Sequence, residues 1–165
     1  MYLEQNHNMK IIFLDIDGVL NIEEERDTIP MAISSSGIRY RDFDDIPIER
    51  CVNNLNRVIS ETGAEIVITS TWRIQHSVLS LMYIFFLCGV KPAYILGRTS
   101  YDSNVKRGEE ITEWLKEHPE ITNFVILDDD SDMVDLMDHL ILIDPEVGLT
   151  EADANKAIEM LNKRN

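Results

Sequence analysis

Cations are scarce in this chain: 15 Lys and Arg stand against 30 Asp and Glu, a formal charge of −15. A surface that acidic repels nucleic acid and phosphate at long range, which disfavours broad polyanion binding and leaves any anionic substrate to local cations or a metal. Cysteine is scarcer still. Cys51 and Cys88 fall at apolar helical positions without metal-site spacing, which excludes a disulfide scaffold or a thiolate zinc site and reads as buried free thiols in a reducing compartment. Long apolar runs are also missing, since Leu79 to Val90 is broken by Tyr83 and Gly89 and is too short to cross a bilayer. Residues 1–8 are polar and carry no signal-peptide core, so a frayed extension and a soluble, cytoplasmic protein are expected. No repeat or low-complexity segment appears, and 44% hydrophobic residues in 165 suffice for one domain with its own core, expected over residues 9–165.

What the chain does have is a set of short apolar runs that end in polar chemistry. Lys10-Ile-Ile-Phe-Leu-Asp-Ile-Asp-Gly-Val-Leu20 reads as a strand buried on both faces, followed by Asp15, Asp17 and a glycine turn at Gly18. Spacing by two points both carboxylates the same way, and the carboxyl end of a parallel strand is where open α/β sheets bind ligands. That pattern suits a hard cation and a phosphate. Glu65-Ile-Val-Ile-Thr-Ser-Thr-Trp-Arg73 is a second such strand, and Phe124-Val-Ile-Leu-Asp-Asp-Asp-Ser-Asp132 a third. Asp128, Asp129, Asp130 and Asp132 cannot all stay charged and close without a cation. The competing reading is a solvated acidic turn before a helix, which is enough to explain Asp130, Asp132 and Asp135.

Between these runs, Ile48, Cys51, Val52, Leu55, Val58 and Ile59 recur at helical spacing and Gly63 closes the pattern. Helices are also expected over Ser77 to Cys88, from Lys106 through Leu115, and from Glu151 behind a Thr150-x-x-Asp153 capping box. Short strands are expected at Tyr94 to Leu96 and Leu140 to Ile143. Five strands alternating with helices predict a three-layer, Rossmann-like α/β fold with a parallel sheet. Residues 21–47 lack periodicity and hold Pro30, Ser34-Ser-Ser-Gly37 and Asp42-Phe-Asp-Asp45, the makings of a small flap.

Phe-Leu-Asp-Ile-Asp-Gly-Val-Leu resembles the first motif of the haloacid dehalogenase (HAD) superfamily, and Thr-Ser-Thr-Trp-Arg resembles the string of a compact HAD subgroup seen in Swiss Army Knife RNA repair proteins. The resemblance implies the following assignments. Asp15 would be the nucleophile that becomes phosphorylated, and Asp17 the general acid and base. Thr69 would bind the transferring phosphoryl group, with Ser70 and Gly18 beside it and Arg73 as a bidentate phosphate contact, for which a surface salt bridge is the competing reading. Arg107-Gly108 would fill a slot usually held by Lys-Gly, with Lys106 the rival cation and Arg107 ahead of it. Mg²⁺ would be held by Asp15, Asp129 and the Asp17 backbone carbonyl, with Asp128 behind, and residues 21–47 would stand where the family inserts its cap. Trp72 reads as core and His118 as structural. The reading is a Mg²⁺-dependent phosphatase acting on a small or terminal phosphomonoester such as a nucleotide. A polynucleotide 3′-phosphatase and a catalytically idle HAD module are the alternatives.

Overall fold

The computed structural model describes residues 9–22, 47–91 and 95–163. Five strands form one all-parallel sheet: β1 (Lys10–Leu14), β2 (Glu65–Ile68), β3 (Ile95–Arg98), β4 (Asn123–Asp128) and β5 (Leu140–Leu142), in the order β3-β2-β1-β4-β5. The sequence order leaves β1 toward β2 on one side and toward β4 on the other, so the switch point where such sheets open a crevice lies at the carboxyl end of β1.

The apolar runs form strands because alternate residues feed two cores. Ile12 and Leu14 pack with α1 (Glu49–Thr62), α3 (Val78–Leu87) and α5 (Glu151–Asn162), whereas Ile11 and Phe13 face α4 (Arg107–Glu117). On the α4 side Phe13 meets the Trp114 and Phe124 rings edge-on at 5.3 and 5.5 Å. His118 stacks on Trp114 and its Nδ1 meets Trp114 O, a structural placement. The Thr150–Asp153 capping box forms as its spacing predicts.

A one-turn helix, α2 (Trp72–Gln75), follows β2 behind Thr71, and a 3-10 helix (Val134–His139) follows the acidic loop after β4. Cys88 is half-buried rather than buried, and burial still pushes its thiol up to about 11. Helix α3 carries apolar residues around most of its circumference, so burying Leu81, Ile84 and Phe85 leaves Leu79 77% and Phe86 69% exposed. No described helix is long and apolar enough to cross a membrane. The expected extension at 1–8 and nearly all of the expected flap lie outside the described residues. The chain bracketing that flap returns beside the acidic loop, with Ile48 N–H donating to Leu20 O at 2.8 Å.

Candidate active site

Parallel hydrogen bonding carries on past the strand ends and lines up the polar residues. Asp15 N–H donates to Leu127 O, Thr69 N–H to Leu14 O and Thr99 N–H to Ile68 O, each at 3.0 Å. The two acidic strand ends and the hydroxyl end therefore meet at one edge. Asp15, Asp128 and Asp129 each place a carboxylate oxygen within 4.8 Å of the others.

The first turn of α4 supplies the counter-charge. Arg107 Nη1 stands 3.0 Å from Asp15 Oδ2 and 2.6 Å from Asp128 Oδ2, bridging the two. Burial opposes its charge, but Asp15 and Asp128 more than offset that and hold the guanidinium firmly protonated. Lys106, the other candidate for the cation slot, is the exposed residue just before the helix. Phase decides between them: the first helical residue turns inward, the preceding one outward.

Gly108 explains why glycine follows. A Cβ there would lie 2.3 Å from the carbonyl carbon and oxygen of Met133, so α4 rests directly on the backbone of the loop after β4. Gly18 plays the corresponding part after β1. Its φ of +74° lies in the left-handed region, and a Cβ would come within 2.7 Å of Asp129 Oδ2. Gly18 thus shapes the loop against a site carboxylate.

Three carboxylates against one guanidinium would leave two negative charges in a half-closed space. The strain shows in Asp128, which is fully buried and pushed up to about 7, first by burial and then by Asp15, with Arg107 pulling the other way. Asp129 is raised as well, by burial and then by Asp15. An oxygen-only donor set short of positive charge fits a hard divalent cation such as Mg²⁺. Asp128 Oδ1 accepts from Asp130 N–H and Asp130 Oδ1 from Asp132 N–H, an Asx-type turn within the loop, while the Asp132 carboxylate leaves the loop and accepts from Arg107 N–H at 3.4 Å.

On the β2 side, Thr69 is fully buried and its hydroxyl has no partner among the described residues, an uncommon state for a buried polar atom outside a ligand site. Ser70 is buried too, and its hydroxyl accepts from Trp72 N–H at 3.3 Å, starting α2. Arg73 departs from expectation. Its guanidinium is buried against Glu110 of α4, where it also donates to the carbonyl oxygens of Thr69 and Ser100. Those partners occupy the donors that a bidentate phosphate contact would need, so Arg73 ties the Thr69 backbone to α4 instead. Burial pulls its pKa below the ordinary value while Glu110 opposes the fall.

Trp72, expected in the core, packs against it while directing its indole N–H at Asp17, 3.1 Å from Oδ1 and 3.0 Å from Oδ2. Asn21 Nδ2 donates to Asp17 Oδ1 at 2.9 Å, and Gly18 N–H donates to Asn21 Oδ1 at 3.2 Å. Asn21 did not stand out in the sequence, and Trp72 did so only as a core residue. The signal was the return of the chain four residues after Asp17, and a tryptophan next to the hydroxyl run.

Fold and site together define a parallel α/β protein with a carboxylate centre at the switch point of its sheet. A family model described as the HAD domain in Swiss Army Knife RNA repair proteins matches residues 11–154, and the chain belongs to that family. No curated protein matches the chain.

Proposed function

We propose that the protein is a Mg²⁺-dependent phosphomonoester hydrolase working through a phosphoaspartyl intermediate on Asp15. The observation that carries this reading is the convergence of buried Asp15, bridged by Arg107, with Asp129 and the unpartnered Thr69 hydroxyl at one sheet edge. Asp15 and Asp129 would hold Mg²⁺, which when bound offsets the repulsion between a carboxylate nucleophile and a phosphate. An Asp15 oxygen attacks phosphorus, the bond to the substrate oxygen breaks, and Asp17 gives that oxygen a proton. Asp17 then takes a proton from water as the water oxygen attacks phosphorus, the bond to Asp15 breaks, and inorganic phosphate leaves. Thr69 would donate its hydroxyl to the phosphoryl group. Arg107 fills the place where lysine is usual, fixing Asp15 and Asp128.

The substrate is a small or terminal phosphomonoester, because the charge of −15 disfavours a long polyanion. The family's description favours a nucleic-acid end as the second reading. Hydrolysis of an aryl phosphate with Mg²⁺, abolished by chelation and by Asp15→Asn, is the expected result. Metal-independent turnover, or none by the folded wild type across a phosphomonoester panel, would contradict it. For the second reading, a steep rise in kcat/KM as an oligonucleotide 3′-phosphate grows beyond about two or three nucleotides, abolished by salt, would put the polynucleotide substrate first.

A further inference from the structure

The loop after β1 holds Asp17 half-exposed at the mouth of the site, where a carboxylate on its own would sample several rotamers. Two donors restrict it. The Trp72 indole N–H comes from α2, 55 residues along the chain, and reaches both carboxylate oxygens. The Asn21 amide is itself fixed by Gly18 N–H. Trp72 is anchored at its other end, since its ring packs on the main core and its backbone N–H donates to Ser70 Oγ. An indole has a single donor, no charge and two χ angles, so it orients a carboxylate without competing for its protons.

We propose that Trp72 is a positioning residue for Asp17: the indole N–H, with Asn21, fixes the carboxylate where it exchanges protons with the leaving oxygen and with the attacking water. The role rests on the proposed phosphatase chemistry, although the contact itself does not. Both half-reactions need the proton relay only to the extent that their groups demand it. A p-nitrophenolate leaves without a proton, whereas water attacking the phosphoaspartate still needs a base. Trp72→Phe keeps a ring against the core and deletes the N–H, so it should slow hydrolysis of the intermediate more than its formation.

Rapid mixing of Trp72→Phe with p-nitrophenyl phosphate should therefore give a burst of about one nitrophenolate per site, followed by a steady state slowed about ten- to a hundredfold. An alkyl phosphate, whose departing oxygen needs the proton, should be slowed in both steps and show no burst. Equal slowing of both phases for both substrates would mark Trp72 as merely structural, and wild-type rates would remove it from the site. The contact has an independent readout, because the chain has only two tryptophans. Its ¹⁵N spectrum should hold two indole N–H signals, and Asp17→Asn should move that of Trp72 while leaving that of Trp114 in place. An unmoved Trp72 signal would overturn the proposal whether or not Trp72→Phe folds. If the wild type turns over no phosphomonoester but the signal moves, the phosphatase reading fails and the clamp stands.

Discussion

Replacing Gly108 with alanine tests how the cation reaches the site. The new Cβ would stand 2.3 Å from the Met133 carbonyl, where Cβ contacts begin near 3.0 Å, so the first turn of α4 must retreat by roughly 0.7 Å or the loop must yield. The loop has little to give, since it is bent through Val134 at φ +53°, a left-handed conformation unfavourable for a β-branched residue. A retreat of that size takes Arg107 Nη1, now 3.0 Å from Asp15, beyond hydrogen-bonding distance, and loosens the 2.6 Å contact to Asp128. Overpacking costs about 1–3 kcal/mol, partly offset by the ~1 kcal/mol that alanine gains over glycine in a helix. At about 2–4 °C per kcal/mol for this size, Tm should fall by no more than about 8 °C while the fold survives. Activity should fall far more, about a hundredfold, as misplacement near 1 Å does to an aligned site. Gly97→Ala is the control, because a Cβ there meets nothing within 4 Å. Thermal melts and kcat/KM on an aryl phosphate read both effects. A Gly108→Ala protein as active and stable as Gly97→Ala would refute the reasoning.

Stability should depend on pH through Asp128. Its pKa is raised from 3.8 to about 7 in the fold, so the folded state binds the extra proton and Asp128's contribution to stability falls as pH rises through that window. Between pH 5.5 and 8 the metal-free protein should lose Tm, and Asp128→Asn should flatten that loss; parallel curves for the two proteins would contradict the assignment. Breaking the Arg73–Glu110 pair by Arg73→Met should cost about 3–5 kcal/mol, because it strands a buried carboxylate, and Glu110→Leu in the same chain should restore most of the loss in a denaturant titration. An unchanged single variant would mean that the pair is solvated. Asp129→Ala should raise the Mg²⁺ concentration needed for activity far more than Asp132→Ala, and equal tolerance of the two would place the metal elsewhere.

The layout was legible because each strand is a short apolar run closed by chemistry. Ile11–Leu14, Ile66–Ile68 and Phe124–Leu127 announce buried parallel strands, and the acids and hydroxyls after them mark one sheet edge. Side-chain direction was less legible. Lys106 and Arg107 differ by one residue, and only the start of α4 decides which turns toward Asp15. Arg73 looked like a phosphate ligand because its partner Glu110 lies 37 residues away and carries no local signal. Trp72 was half read: its ring does pack on the core, but the N–H that reaches Asp17 depends on α2, a single turn too short to leave a periodicity. The outer face of α3 escapes pattern reading for the opposite reason, since a helix with Ser80 as its one non-aromatic polar residue has no continuous polar side to mark what is exposed.

The covalent step proposed on Asp15 can be tested directly. Wild-type protein quenched during turnover with Mg²⁺ and an aryl phosphate, then treated with borohydride, should have its phosphoaspartate reduced to homoserine, which peptide mass spectrometry locates. The account predicts homoserine at position 15, dependent on substrate and absent from Asp15→Asn. Full turnover with Asp15 unmodified, or with the label on Asp17 or Asp128, would contradict it.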